Sequence, residues 1–516
     1  MKIIEGMEAV REQCADLLYD ESRFVSGTPC AVYYPESTGD VREIVKKASD
    51  TKTPLTLIGG QTGITGGSVP VQGCIAICMA SMHRILSAGK HGDGTVLLRC
   101  QPGITLEAIE TFLNEPGSHE YPVEGTGILG PGAWMYPPDP TEMTAQLGGT
   151  VATNASGARS FWFGPTRNHV EAIQVVLANG DSLALKRGET MFQGDTCSFR
   201  SDQGAPFILP AMTFQPPKGK NAAGYFCADH MDLVDLFIGS EGTLGVLTEI
   251  TVRLTTRPDI VAGLSFFPSR DSAFDFARFL RDDTSVIAIE YFDTTALGFI
   301  RSHKDDVKLK IPDLPPDGRA AVYWEYTQAH EASFEEVMDA WEEKLTAGGS
   351  SFETTWSGFE EQEMGRLKAF RHAVPELINL QIAALRQLSP SIRKVGTDAA
   401  VPRDHFESFF KYSLQLIESK GIEVVVFGHL GDCHLHFNMI PKTDAELSSS
   451  LEIYRQIMDK AVGAGGTVSA EHGIGKIKTD YLKLMYGETA LEEMKRMKRA
   501  LDPERLLNPG NLFEDP

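Results

Sequence analysis

An α+β chain of more than one domain is predicted by these 516 residues on three grounds. The length is that of two to four domains at roughly 100–200 residues each, with material for a large core. The first half carries short apolar runs separated by glycine-rich loops. The second half alternates apolar runs with polar, acidic helical stretches, the pattern of helices covering one face of a sheet.

Composition narrows the class. Hydrophobic residues make up 42% and charged residues 23%, which excludes a disordered or fibrous chain. The 48 basic and 70 acidic side chains give a net charge of −22, opposing any broad contact with nucleic acid or an anionic membrane, though a local basic pocket is compatible with it. Eight cysteines (Cys14, Cys30, Cys74, Cys78, Cys100, Cys197, Cys227, Cys433) form no C-x-x-C pair and no run for an iron–sulfur cluster, so a reducing compartment is expected. Glu5, Glu8, Glu12 and Asp16 stand where a signal peptide would need an apolar core, and no apolar run approaches the roughly eighteen residues of a membrane span. A soluble, cytoplasmic protein is the expectation.

Along the chain, Val41, Ile44, Val45 and Ala48 recur at the spacing of one helix face after a cap at Thr38-Gly39-Asp40. From Pro54 the order is strand, glycine-rich loop, strand, ending near Met79; a nicotinamide-type fold would have a helix after the loop. A loop-like region follows over 115–149, and loops this long are usually functional. Over 170–256 a mainly β unit is expected, with a hairpin at Asn179-Gly180, and the chain leaves it at Arg257-Pro258. From 261 to 450 the runs GLSFFPS, AAVYWEYT, VVVFGHLG and HLHFNMI alternate with helical stretches such as SFEEVMDAWEEKLTAG and LEIYRQIMDKAVGAGG. The last helix is stopped by Asp502-Pro503.

Three glycine-rich elements and one histidine cluster carry the chemistry. Gly59, Gly60, Gly63, Gly66 and Gly67, interleaved with Gln61, Thr62 and Thr65, let backbone N–H groups approach a pyrophosphate; the alternative is a simple hairpin tip. No G-K-[ST] follows, so this is not a P-loop. The run Leu147 to Gly157, including Gly148, Gly149 and Asn154, is poor in bulky side chains, which suits either a flat aromatic ligand or close helix packing. Gly239 to Gly245, with Glu241 and Gly242, repeats the theme before a strand. Thirteen histidines in 516 residues average about one in 40, yet His429, His434 and His436 fall within eight positions. On a strand His434 and His436 share a face, and His429 reaches them across the Gly431-Asp432 turn. Glu471, beside His472, is the obvious carboxylate to complete a metal site with an open position.

Together these residues resemble the flavin-dependent D-2-hydroxy-acid dehydrogenases: the glycolate oxidase D subunit, D-lactate and D-2-hydroxyglutarate dehydrogenase group within the vanillyl-alcohol-oxidase type of flavoprotein. The resemblance runs from about 30 to 515 through GGQTGITGG, DPTEMTAQLGGTVATNASGAR, KNAAGY, GSEGTLGVLTE, HLGDCHLH, SAEHGIG and DPERLLNPG, in the family's order. It implies a two-subdomain FAD-binding domain over 1–256, an α+β substrate or cap domain with a largely antiparallel sheet over 257–450, and a C-terminal helical segment over 451–516 returning to the flavin. It also implies FAD on the Gly59–Gly67 loop, with Pro138, Asp139, Gly148, Gly149, Asn154, Gly157, Glu241, Gly242, Gly245 and Asn508 around it. Family metal ligands carry over to His429, His436 and Glu471, with zinc first and manganese or iron as alternatives.

By the same resemblance His472 is the catalytic base, Asn438 contacts substrate and Arg371 pairs with its carboxylate. Lys394 is the nearest match to a family lysine just ahead of the Asp in the D-x-x-V-P stretch. The sequence departs from the family pattern at four places. Ile58 and Gln61 stand where the loop often has Arg and Gly; Cys433-His434 replaces Gly-Asn; the lysine is displaced; and Pro375 stands where hydroxyglutarate enzymes carry Thr.

The implied reaction oxidises a small D-2-hydroxy acid, with electrons passing to a separate acceptor: a quinone, a cytochrome, an electron-transfer flavoprotein, an iron–sulfur subunit or oxygen. No nucleic-acid partner is expected, and a homodimer is left open. Competing readings are a non-redox flavoenzyme like the alkyl-glycerone-phosphate synthases and a non-catalytic flavin-binding subunit.

Overall fold

The computed structural model describes residues 1–117, 121–140, 142–303, 311, 313–327 and 334–514. Three sheets organise them. In the first, Ala31–Tyr34 and Leu55–Ile58 each pair in parallel with Ile75–Cys78, and Lys2–Glu5 adds an antiparallel edge. The helix Thr38–Thr51 buries Val41, Ile44, Val45 and Ala48 against this sheet. Its cap is Ser37, whose Oγ accepts the Asp40 N–H, so Thr38-Gly39-Asp40 form the first turn and not the cap.

The second sheet is antiparallel: Ile85–Lys90, Val96–Cys100, Val246–Thr256, Val170–Val176 and Ser182–Lys186, with Trp134–Met135 paired to the end of Val246–Thr256. The predicted hairpin is present, and Gly180 takes the positive φ its turn requires. The stretch expected as a loop over 115–149 is broken by Trp134–Met135 and ends where a short helix, Leu147–Ala152, begins. Low bulk in that helix serves packing as well, since a Cβ on Gly148 would lie 2.6 Å from the Pro102 side chain.

The third sheet positions the chemistry. Its order is Trp356–Gly358, Ile260–Phe267, Ala320–Thr327, Val286–Phe292, Glu423–His429, His434–Ile440 and Val395–Gly396, every pair antiparallel. Side chains alternate across it. Tyr291, Trp324 and Phe437 point to the helix-covered face, where Trp324 meets Trp341 and Phe437 meets Phe409 and Phe410. The same alternation sends Glu290, Tyr323, Glu325, His429, His434, His436 and Asn438 to the opposite face, toward the first two sheets. The strand Val286–Phe292 and the 28-residue helix Glu361–Leu388, which carries Arg371 and Pro375, complete the alternating pattern beyond the elements predicted. Among the described residues no helix is long and apolar enough to cross a membrane.

Candidate active site

A cavity opens between the first two sheets, and the turn that carries Glu471 and His472 joins it from beside the third. Its walls are the loop residues Gly59, Gly60, Gln61, Thr62, Gly63 and Gly67, the helix residues Gly148 and Gly149, then Glu241, Gly242 and Gly245, Asn508, and finally Glu471 and His472. A Cβ on Gly63 or Gly149 would meet nothing within 4 Å, so the backbone itself forms these walls. Gln146 Oε1, also on the wall, is buried without a hydrogen-bond partner. A glycine cradle with exposed backbone donors and an orphaned acceptor fits the flavin nucleotide that the sequence implies.

The surrounding bonds fix this shape. Gln61 turns its side chain outward to the carbonyls of Asp16 and Tyr19, leaving only its backbone to the cavity. Asn508 accepts the Leu57 N–H and donates to the Glu241 carbonyl, tying the C-terminal tail to the first sheet. Both carboxylate oxygens of Glu241 accept backbone N–H groups, from Ile474 and Gly475 at 2.7 Å each, so Glu241 holds the turn that follows His472.

Five residues expected at the cofactor stand outside this lining. Gly66 gives its N–H to Asp20, and Asn154 accepts the Arg167 N–H. Gly157 is required by contact: a Cβ there would fall 1.6 Å from the Asp139 carbonyl oxygen. Asp139, after Pro138, places its carboxylate 3.9 Å from Arg159 and 3.8 Å from Arg371. They shape the wall without facing the cavity.

Beside the cavity stands the histidine cluster. His429 and His434 are directly opposite in the register of neighbouring strands, with Cys433 in the left-handed region closing the turn between them, and His436 follows on the same face. One ligand atom each from His429, His434, His436 and Glu471 lie within 4.8 Å of one another. His429 Nε2 is 3.2 Å from Glu471 Oε1, while His436 Nε2 and His434 Nδ1 are each 3.9 Å from Oε2.

The outward nitrogens are held by other groups. His429 Nδ1 lies 2.6 Å from Glu290 Oε1, and His436 Nδ1 lies 3.0 Å from the Thr397 carbonyl. That leaves the Nε2 lone pairs of both rings toward Glu471, the arrangement metal-binding histidines use. Both ring nitrogens of His434 are buried without a hydrogen bond. The donor set fits a divalent metal.

Lys220, from the KNAAGY stretch, puts its ammonium on Glu471 and on Asp432. Burial opposes charge on Glu471, but His429 and Lys220 hold its carboxyl well below the usual range. Burial also disfavours charge on His429, yet Glu471 and Glu290 raise its pKa from 6.5 to about 9, so a metal at Nε2 would displace a proton from that nitrogen.

His472 is the most accessible of the cluster's imidazoles, and its ring stacks against His436 at 5.6 Å between centroids. Its Nδ1 lies 3.2 Å from Asp398 Oδ2 without making a hydrogen bond, and its backbone N–H donates to the same oxygen, so Nε2 is the nitrogen away from this carboxylate's contacts. Arg371 gives its Nε–H to Glu290 at 2.9 Å and lies over the Tyr323 ring; of its terminal nitrogens, Nη1 has Asp139 at 3.8 Å and neither makes a hydrogen bond among the described residues. Pro375, one turn on, has no N–H to give the Arg371 carbonyl. Asn438 and Lys394 flank Gly396. Lys394 has no ion-pair partner among the described residues, and burial alone lowers its pKa.

Six residues of this site carried no role in the sequence reading: Lys220, Glu290, Glu325, Tyr323, Arg159 and Asp398. Glu290 and Glu325 had a usable signal, being the acidic residues inside the apolar strands VIAIEYF and AAVYWEYT. Glu325 pairs with Arg159 at 2.7 Å and accepts the Tyr323 hydroxyl.

Comparison with known proteins agrees along both halves of the chain. Residues 29–186 match the FAD binding domain family, and residues 256–512 match the family described as FAD linked oxidases, C-terminal domain. The glycolate oxidase subunit GlcD of Bacillus subtilis is 28% identical over 96% of this chain and 91% of its own length. The D-2-hydroxyglutarate dehydrogenase of Stutzerimonas stutzeri is 27% identical over 96% and 93%. Among solved structures, 4-ethylphenol oxidase from Gulosibacter chungangensis superposes with a TM-score of 0.64 at 16% identity, covering 100% of this chain and 94% of that one, which shows a shared fold. The fold is the vanillyl-alcohol-oxidase type, and the chain belongs to the family of FAD-linked oxidases.

Proposed function

We propose that this protein oxidises a D-2-hydroxy acid to the 2-oxo acid, with FAD and a divalent metal as its resident groups. One observation carries the reading: Glu471 and His472, adjacent in sequence, both line the glycine-rich cavity, so one carboxylate of the ligand cluster and one imidazole face the same space. When bound, FAD accepts the hydride and the metal draws electron density from the hydroxyl oxygen.

The protein's own groups divide the remaining work. Arg371 fixes the substrate carboxylate through its terminal N–H groups, a charge-assisted pair. His472 Nε2 takes the hydroxyl proton while Asp398, bonded to the His472 backbone N–H, stands beside Nδ1; positioned bases of this kind contribute about 10²–10⁴-fold. Asn438 orients the substrate, and the unpaired Lys394 ammonium supplies a site for a second carboxylate. Fixing carboxylate and hydroxyl together leaves one enantiomer with its hydrogen toward the flavin.

Anaerobic mixing with a panel of D- and L-2-hydroxy acids and plain alcohols tests this. Bleaching of the flavin by a D-2-hydroxy acid, and little by its L enantiomer, is the expected result. Equal bleaching by uncharged alcohols overturns it.

A further inference from the structure

We propose that His434 is a fourth protein ligand of the metal, binding through Nδ1, and that Asp398 is the residue that positions it. The inference rests on the reading that the cluster holds a divalent metal. It goes beyond the ligand set His429, His436 and Glu471, because His434 replaces the Asn usual in the family's motif.

His434 is the most enclosed ring of the cluster, with no exposed surface. Its ring lies 4.5 Å from that of His436 and 5.6 Å from that of His429. Neither ring nitrogen makes a hydrogen bond: Nδ1 faces Glu471 Oε2 at 3.9 Å, on the side of the other ligands, and Nε2 lies 3.2 Å from Asp398 Oδ1. A buried ring nitrogen without a partner is costly unless something else fills its lone pair. Coordination fills it: a tetrahedral ion with ligands at roughly 2.0–2.2 Å separates them by about 3.3 Å, within the spread of this cluster.

The tautomer required is the one Asp398 favours. Its Oδ1 lies 3.2 Å from His434 Nε2, nearer than Glu471 lies to Nδ1; the two do not make a hydrogen bond in this structure, but the carboxylate favours a proton on Nε2, which leaves Nδ1 its lone pair. Asp398 is itself fixed by Lys478 at 2.8 Å, Ser469 at 2.7 Å and the N–H groups of Glu471 and His472. Its Oδ2 lies 3.2 Å from Nδ1 of His472. One carboxylate thus sets both a ligand and the base, on opposite sides of the same small volume.

The test strips the flavoprotein with a chelator, reloads it with Zn²⁺ or Co²⁺, measures affinity by chelator competition and counts imidazole ligands by X-ray absorption. Wild-type protein is expected to show three imidazoles. His434→Asn should show two and lose more than about 100-fold in affinity, and Asp398→Asn should keep three while losing about 10–100-fold, the scale of an outer partner. Flavin absorbance, unchanged in both variants, reports that the fold is intact. Two imidazoles in wild-type protein, or unaltered affinity and count in His434→Asn, overturn the fourth ligand while leaving the three-ligand site standing. Failure of wild-type protein to take up either ion overturns both readings. The wild-type count decides the matter even if a variant does not fold.

Discussion

Arg371 and His429 share one carboxylate: Glu290 Oε2 accepts from Arg371 Nε at 2.9 Å, and Glu290 Oε1 lies 2.6 Å from His429 Nδ1. Burial would favour a neutral Glu290, but Arg371 and His429 hold its carboxyl well below the ordinary range. The substrate anchor and the metal ligand are therefore aimed by the same group. Glu290→Gln should weaken both, because the amide puts an NH2 donor group in place of one of the two oxygens, where the site supplies only donors. The expected outcome is a 10–100-fold loss of metal affinity and a fall in kcat/KM, with FAD content unchanged. Metal analysis and steady-state kinetics on one preparation check it.

Removing a ligand should separate the two resident groups. His429→Ala or Glu471→Gln is expected to lose bound metal and most activity while retaining FAD, because His429 lies outside the cavity lining and Glu471 contributes only one edge of it. Elemental analysis beside flavin absorbance reads the result, and an active wild-type preparation without divalent metal contradicts the assignment.

The base and the ligands should respond differently. His472→Ala removes the nitrogen at the cavity and is expected to slow flavin reduction by about 10²-fold or more with metal and flavin both retained. His436→Ala should instead lose metal. Stopped-flow reduction distinguishes them, and equal metal loss in the two variants would move His472 into the coordination shell.

Much of this arrangement was legible from spacing alone. A period of two places His434, His436 and Asn438 on one face, and a four-residue turn brings His429 opposite His434, as the register shows. The glycine loop was legible as a candidate cradle, with a hairpin tip as its alternative, because five glycines fall in nine residues. The acidic partners were not. Glu290 lies 139 residues from His429 in sequence, and Glu325 lies 166 from Arg159. Such pairs depend on strand order in the seven-stranded sheet, which local pattern does not specify. Asp398 was hidden for a similar reason: its partners arrive from the strand His434–Ile440 and from the turn after Ala470. Expected cofactor residues such as Asn154 and Gly157 show the converse, since small residues serve close packing as readily as ligand contact.

Arg371 carries the claim about substrate charge. Arg371→Met keeps an apolar stem over Tyr323 but removes the charge, so kcat/KM for D-2-hydroxy acids should fall by 10²-fold or more, about the 1.5–3 kcal/mol of a hydrogen bond to a charged group plus the cost of leaving a carboxylate unpaired. Neutral alcohols, if they react at all, should be indifferent to the change. Kinetics on both substrate types check it, and an Arg371→Met enzyme with unaltered kcat/KM for hydroxy acids removes the anchor.

Glu241 supplies a pH dependence whose sign follows from its surroundings. Burial raises its pKa from 4.5 to about 6, and the N–H groups of Ile474 and Gly475 offset only part of that rise. Below about pH 4.5 both folded and unfolded chains hold the proton, and the carboxyl costs nothing. Between about 4.5 and 6 the unfolded chain has released it while the folded chain has not, so stability falls as pH rises. Above about 6 both are ionised and the loss is complete, on the order of 2 kcal/mol at 1.36 kcal/mol per pKa unit. Glu241→Gln abolishes this titration, although its amide can accept only one of the two N–H groups. The stability of wild-type protein relative to the variant should therefore decline between pH 4.5 and 6 and stay level from 6.5 to 8. Denaturant unfolding across that range, followed by tryptophan fluorescence, measures the difference; a difference that grows with pH, or that is flat below 6, shows that burial does not control this carboxyl.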